Sequence, residues 1–326
     1  MIGSNCPSDR NELMMKTIYL DKEYTSATPC VATIGFFDGV HRGHQFLIRQ
    51  LVQLANEHGW TSRLITFDKH PRQVLKKDFQ PKMLTTFEEK LQLLSETGVD
   101  ECVVLPFSEQ MAALSAYEFM KMILQGQLNV RLLYVGYDHR FGNSRTEGYE
   151  DYVRYGKELG IEVKQSVVYP WENINVSSSV IRRFIQEGEM EKAVDCLGHS
   201  FTLTGCVVAG EQQGRKMGFP TANIQLDNPE KLIPAVGVYA VQVSLEGHST
   251  TYTGMMNIGT RPTFNGDHQT IEVHLFHFSD DLYGKRLRID VKSRVRDEQR
   301  FASPEALREQ LEKDEEQIIQ QFEKEQ

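Results

Sequence analysis

Short apolar runs alternate with stretches of helical spacing along the first two hundred residues. Val31 to Phe36 reads VATIGF, a β-type run that breaks into the turn-rich FDGVHRGH. FLIRQLVQLANEHG follows, with apolar residues three and four apart and a stopping Gly59. The same order recurs. RLITF (63–67) leads to Thr86-x-x-Glu89, a capping box opening FEEKLQLLSETG, and ECVVL (101–105) leads to a helical stretch from Ser108 to Leu124. VRLLYVG (130–136), a helical YEDYVRYGKELG, IEVKQSVV (161–168) and a helical SSVIRRFIQEG ending at Gly188 complete the series. This alternation predicts a parallel, doubly wound α/β sheet that binds ligands at the carboxyl ends of its strands, where FDGVHRGH lies.

After Gly198 the pattern changes to β runs separated by Gly- and Pro-bearing turns: FTLTGCVV, GVYAVQV, TTYTGMMNI, IEVHLFHF and RLRIDVKSRV. A mainly β, six-stranded-type antiparallel barrel is expected, with a C-terminal helix from about Pro304 that carries Ile318, Ile319 and Phe322 at helical spacing. The expected organisation is therefore residues 15–197 as one domain and 198–326 as a second. Residues 1–14 contain Asp9, Arg10 and Glu12 and no apolar h-region, and read as a disordered leader or vector-derived sequence.

Composition narrows the function classes. A chain of 326 residues exceeds one average core, and 40% hydrophobic with 25% charged residues excludes a chain disordered throughout. No apolar run approaches the ~18 residues of a membrane span. A net charge of −9, spread over both halves, leaves sequence-independent nucleic-acid binding without an electrostatic basis. Arg286, Arg288, Lys292, Arg294 and Arg296 alternate with apolar residues and read as the solvent face of a half-buried strand. None of the five cysteines forms a CxxC, which favours reduced thiols in a cytoplasmic setting.

Any phosphate must then be held locally, and two segments suit that task. In Gly35-Phe36-Phe37-Asp38-Gly39-Val40-His41-Arg42-Gly43-His44, two imidazoles flank a glycine at a helix start. Free backbone N–H groups can meet an anion there, Gly43 permits close approach, and both histidines can donate to nucleotide phosphates. Ser177, Ser178 and Ser179 precede a helix carrying Arg182 and Arg183, and can cap it and bind an anion. The second segment runs from Gly210 through Gly214, Arg215 and Gly218 to Pro220, Thr221 and Asn223. Its glycines could wrap phosphate oxygens, and the Thr hydroxyl with the Asn amide oxygen suits Mg²⁺, although a plain hairpin turn has the same composition. In IEVHLFHF, Glu272, His274 and Phe276 lie opposite Ile271, Val273 and Leu275. Spacing alone makes Glu272 a solvated strand residue, and His274 and His277 read as strand-face residues.

GFFDGVHRGH resembles the HxGH signature of the nucleotidylyltransferase superfamily, and its flanking residues are similar to the bacterial bifunctional riboflavin kinase/FAD synthetases. ITFDKHP (65–71), VGYDHRFG (135–142) and SSSVIRRFI (177–185) resemble the Rossmann-like adenylyltransferase module of that family. GFPTAN (218–223), GVY (237–239), NIGTRPTF (257–264) and IEVHLFHF (271–278) resemble its riboflavin kinase module. The resemblance implies ATP-dependent phosphorylation of riboflavin to FMN, then adenylylation of FMN to FAD with release of pyrophosphate. It implies ATP-phosphate contacts for His41, His44, Ser177, Ser178, Ser179 and Arg182, flavin-side roles for Asp68 and Asp138, and Glu272 as catalytic base. Mg²⁺ at Thr221 and Asn223 would accompany ATP. ATP, riboflavin, FMN and FAD are the expected partners, without nucleic acid or membrane and with room for self-association. Ser179 stands where the family usually has Thr, and His139 departs from its usual Phe or Asn-Phe. The alternatives are a chain with one active module, or a flavin-responsive binding protein without turnover.

Overall fold

The computed structural model describes residues 15–75, 82–137, 139–143, 146–171, 174–210, 214, 218–263 and 266–324. Its chain divides into two compact units, one holding residues through Pro81 with Phe87–Pro170, the other Lys82–Thr86 with Trp171–Gln326.

In the first unit, strands β1 (Lys16–Tyr19), β2 (Cys30–Ile34), β3 (Thr61–Phe67), β4 (Glu101–Leu105), β5 (Val130–Val135) and β6 (Glu162–Gln165) form one sheet in the order β1-β4-β3-β2-β5-β6. All five pairings are parallel. β2 is buried at every position, as a strand covered on both faces must be. Val31, Leu64 and Leu132 pack on one side with Ile48 and Leu51 of α1 (Arg42–His58) and Leu94 of α3 (Phe87–Ser95), which follows the short α2 (Pro71–Leu75). Ala32, Ile65 and Leu133 pack on the other side with Phe119, Met120 and Tyr152. The sheet is doubly wound, as the alternation predicts. Strand order reverses between β2 and β5, so the loops after these two strands open at the switch point where α/β sheets take their ligands.

The helix expected from Ser108 to Leu124 is not continuous. Ser108 caps α4 (Glu109–Ala113), the chain breaks at Leu114, and Ser115 with Glu118 forms a capping box that starts α5 (Ala116–Phe119). A π-helical segment, Met120–Gln127, continues from α5. A residue whose side chain binds the next turn's N–H starts a helix rather than extending one. Tyr149–Leu159 forms α6, ended by left-handed Gly160.

In the second unit, β9 (Phe201–Val208), β10 (Ala222–Leu226), β11 (Gly237–Leu245), β12 (Thr251–Thr263), β13 (Gly266–Leu275) and β14 (Arg286–Arg296) close a barrel in the order β10-β13-β12-β11-β14-β9. Every pairing described in it is antiparallel. A separate two-stranded sheet, β7 (Pro170–Trp171) with β8 (Ile174–Asn175), precedes the barrel. Inward residues such as Leu203, Val241, Met256, Val273 and Ile289 fill its centre. Ile181, Phe184 and Ile185 of α7 (Ser178–Glu187) and Met190 and Leu197 of α8 (Met190–Leu197) belong to the same cluster. The C-terminal helix α9 (Pro304–Lys324) lays Ile318 and Phe322 against Phe219, Val238, Met255 and Phe276, and Arg296 pairs with buried Asp314 at 2.8 Å. The basic residues of β14 are taken up by neighbours: Arg286 by Asp227 and Glu246, Arg288 by Asp290, and Lys292 by Ser200.

Candidate active sites

The loop after β2 is built around backbone conformations that most residues avoid. Phe37, Gly39 and Val40 have φ of 57°, 80° and 37°, and a Cβ on Gly35 would lie 2.9 Å from the Phe37 ring. Such conformations persist only where packing enforces them, and Phe37, Asp38 and Val40 are all buried. The loop ends at His41, the N-cap of α1, whose Nδ1 accepts the His44 backbone N–H at 3.3 Å. That bond fixes the neutral tautomer, because the ring proton must then sit on Nε2. The His41 and His44 rings stack at 3.6 Å, and the edge of Phe37 meets His44 at 5.1 Å. Burial pushes the His44 imidazole well below its usual range, with His41, His139 and Lys90 pushing the same way. Burial and the stacked neighbour thus both favour the uncharged form of His44. Gly43 lies in the first turn of α1, where backbone N–H groups have no partner within the helix.

Asp68 follows β3 and accepts the Phe107 N–H at 2.8 Å, so its carboxylate also ties the chain beyond β4. Asp138 lies outside the described residues; His139, beside it, is close enough to act on the charge of His44.

Ser177, Ser178, Ser179 and Arg182 belong to the second unit, whereas the 35–44 segment belongs to the first. Ser177 is the N-cap of α7 and accepts the Val180 N–H at 3.3 Å. Ser178 and Ser179 open the helix. Arg182 Nε donates to the Lys82 carbonyl at 3.0 Å, and exposed Arg183 faces Glu187 at 4.0 Å.

The other phosphate-loop candidate meets β13 across β10. Gly214 has no room for a side chain, since a Cβ would stand 2.3 Å from the Phe219 carbonyl, and a Cβ on Gly210 would stand 2.0 Å from Asn223 Nδ2 and require that side chain to move. Gly218 takes the left-handed conformation, and Arg215 lies outside the described residues. Thr221 Oγ1 donates to Glu272 Oε2 at 3.1 Å, and Asn223 stands directly opposite Glu272 in the β10/β13 register. His274 is buried with Nδ1 2.8 Å from the Pro220 carbonyl. Its strand-face assignment therefore carries a second task, the anchoring of the GFPTAN segment. His277 is in a turn beyond the end of β13 with φ of 56°, not on a strand face. A cavity of about 510 Å³ adjoins this row, lined by Phe219, Pro220, His274, Phe278, Arg308 and Glu312 among others.

Residues 23–180 match the family model of FAD synthetase, and residues 197–322 that of riboflavin kinase. A bifunctional riboflavin kinase/FMN adenylyltransferase of Escherichia coli K12 is 37% identical over 286 residues, covering 88% of this chain and 90% of that one. The chain belongs to the bifunctional riboflavin kinase/FMN adenylyltransferase family. Relatives of the same description from Listeria monocytogenes (39% over 311 residues, 92% of this chain and 96% of the relative) and Bacillus subtilis (34% over 328 residues, 94% and 98%) span nearly the whole length. A crystal structure described as a macrolide-efflux protein from Streptococcus pneumoniae superposes with a TM-score of 0.84 at 32% identity, over 93% of this chain and 98% of that one. Among the described residues, no helix is long and apolar enough to cross a membrane.

The FAD synthetase match ends at residue 180, so it includes Ser177 to Ser179 and stops short of Arg182. Within it the structure adds a residue that motif reading passes over. Lys90 is buried under the 35–41 loop, its Nζ within hydrogen-bond range of Phe36 O, Thr66 Oγ1 and Phe67 O. A sequence signal exists: Phe87, Lys90, Leu91 and Leu94 share the i, i+3, i+4, i+7 stripe that should face the core.

Proposed function

We propose that this chain makes FAD from riboflavin with two ATP-using modules. Residues 198–326 transfer the γ-phosphoryl of ATP to the ribityl 5′-hydroxyl of riboflavin, giving FMN. Residues 15–197 then bring the FMN phosphate to the α-phosphorus of a second ATP, giving FAD and pyrophosphate.

The observation that carries the first step is the Thr221–Glu272 hydrogen bond with Asn223 opposite Glu272. It turns a strand glutamate into an oriented carboxylate, able to accept the proton of the attacking hydroxyl. Because the Thr221 proton is committed to Glu272, its lone pairs are directed elsewhere, and with the Asn223 amide oxygen they form a hard donor set suited to Mg²⁺. When bound with ATP, Mg²⁺ neutralises phosphate charge. Gly214, where a side chain is excluded, with Gly210 and Gly218, lets the segment approach the phosphates closely. Arg215 supplies a cation on the same segment.

In the second step the nucleophile is already an anion, so no base is required and positioning carries the rate. His41 donates through Nε2–H to the phosphates, and His44 adds a neutral donor. Gly35, Phe36, Asp38, Gly39 and Gly43 shape the loop; Ser177, Ser178, Ser179 and Arg182 contribute the second phosphate segment, and Asp68 and Asp138 the flavin side. That Cys30, Cys102 and Cys206 are thiols favours a reducing, cytoplasmic location.

Incubation of the full chain with riboflavin and Mg-ATP, followed by separation of the flavins, tests the reading. FMN followed by FAD is expected. FMN alone would reduce the chain to a kinase, and unchanged riboflavin would make it a binding protein.

A further inference from the structure

Lys90 is an expensive residue for its place. It stands on the core-facing stripe of α3 with 2% of its surface exposed, where an apolar side chain would avoid the desolvation of an ammonium. Its Nζ reaches three neutral acceptors: Phe36 O at 3.3 Å, Thr66 Oγ1 at 3.2 Å and Phe67 O at 3.0 Å. It also lies over the Phe36 ring at 4.2 Å and the Phe87 ring at 5.2 Å. Thr66 Oγ1 donates in turn to Phe36 O at 3.2 Å, so one carbonyl collects two donors.

The acceptors are placed with consequence. Phe67 ends β3, and Phe36 immediately precedes Phe37, the first residue of the left-handed stretch that leads to His41. The Phe36 ring meets His70 edge-on at 4.7 Å, which joins the loop after β2 to the loop after β3. We propose that Lys90 is a positioning residue for adenylyl transfer, its ammonium holding the ends of β2 and β3 so that the strained loop presents His41 and His44 to the nucleotide. This rests on the adenylyltransferase reading above. Misplacement of a positioned group by about 1 Å can cost on the order of 10² in rate, and the left-handed loop has that freedom once its tether is cut.

Charge adds a readout. The titratable groups facing Lys90 are Asp38 from the loop, His44 from α1, Asp68 from beyond β3 and Cys102 from β4. Burial lowers Lys90 to about 8, against the pull of Cys102, Asp38 and Asp68. A bound triphosphate adds negative charge and favours the ammonium. In FAD formation, kcat/KM for ATP, which reports the free enzyme, should therefore fall above about pH 8, while kcat falls at higher pH.

The test measures FAD formation from supplied FMN and phosphorylation of riboflavin, both against pH, in full-length wild type, Lys90→Met, Lys90→Arg and Thr66→Val. Lys90→Met should lose about 10²-fold in kcat/KM for ATP in FAD formation, lose the break near pH 8, and phosphorylate riboflavin like wild type. Lys90→Arg, which cannot deprotonate, should recover part of the rate with a flat alkaline profile. Thr66→Val removes one acceptor of the charged form and should move the break to lower pH, and it decides the matter if Lys90→Met does not fold. Wild-type FAD formation by Lys90→Met, or an unmoved break in Thr66→Val, would overturn the role of Lys90. Failure of the wild type to make FAD would instead overturn the adenylyltransferase reading on which it rests.

Discussion

At Glu272 a plain strand residue and a general base differ in the contacts of a few atoms. Thr221 holds one of its oxygens at 3.1 Å, and Asn223 stands across the ladder. A solvated glutamate would tolerate substitution, since exposed changes usually stay within about ±0.5 kcal/mol. Glu272→Gln keeps length and an acceptor oxygen for Thr221 but cannot take a proton at neutral pH. Its kcat for FMN formation should fall on the order of 10²–10⁴, with riboflavin binding retained and FAD formation from supplied FMN unchanged. Titration with riboflavin beside steady-state assays of both products checks this; wild-type turnover would return Glu272 to the solvent face. Spacing alone favours the solvated strand residue and only the family resemblance favours the base, because the residue that orients Glu272 is fifty-one positions away in the chain. Lys90 was hidden for a related reason: its three acceptors come from two other strand ends that only the sheet brings together.

At the level of elements, the parallel sheet was legible because buried strands and amphipathic helices follow different periods, and β2 to β6 alternate with them in order. Three features were not. β10 reads ANIQL, short and half polar inside a motif, and becomes a strand only through its antiparallel partners β9 and β13. The stretch after Ser108 is apolar enough for one long helix, yet Ser115 competes for the backbone and splits it. The glycine segment before β10 is ambiguous in sequence between a turn and a phosphate loop, and in the structure the Asn223 side chain occupies the space that a Cβ on Gly210 would need. Gly210→Ala should therefore displace the Asn223 amide. The expected result is at least about a tenfold fall in FMN formation, with FAD formation from FMN untouched and thermal stability changed by no more than ~1–3 kcal/mol, the usual range for overpacking. Parallel assays of both activities, with a melting curve, check it.

Across the whole molecule, packing and pattern divide the chain at different places. The β pattern begins after Gly198, and the riboflavin kinase match at residue 197. The barrel's apolar cluster reaches further back, taking in Ile181, Phe184, Ile185, Met190 and Leu197. Residues 82–86 join it as well: Met83 bridges to Lys231, and Lys231 Nζ donates to the Leu84 carbonyl at 2.7 Å. A fragment cut at 198 would bare the barrel surface under α7 and α8, at roughly 1.5–3 kcal/mol for each large apolar side chain lost from it. A fragment of residues 171–326 should thus melt well above one of 198–326, and calorimetry of the two decides it; equal melting temperatures would show that the two helices add nothing to the barrel.

The proposed separation of the two activities places His44 in the first unit and Glu272 in the second. His44→Ala in the full chain, supplied with riboflavin and Mg-ATP, puts that division to the test in one product analysis. FMN should accumulate at the wild-type rate while FAD formation falls on the order of 10²–10³, the usual cost of one phosphate-stabilising donor. Equal loss of FMN and FAD from a folded His44→Ala chain would contradict it.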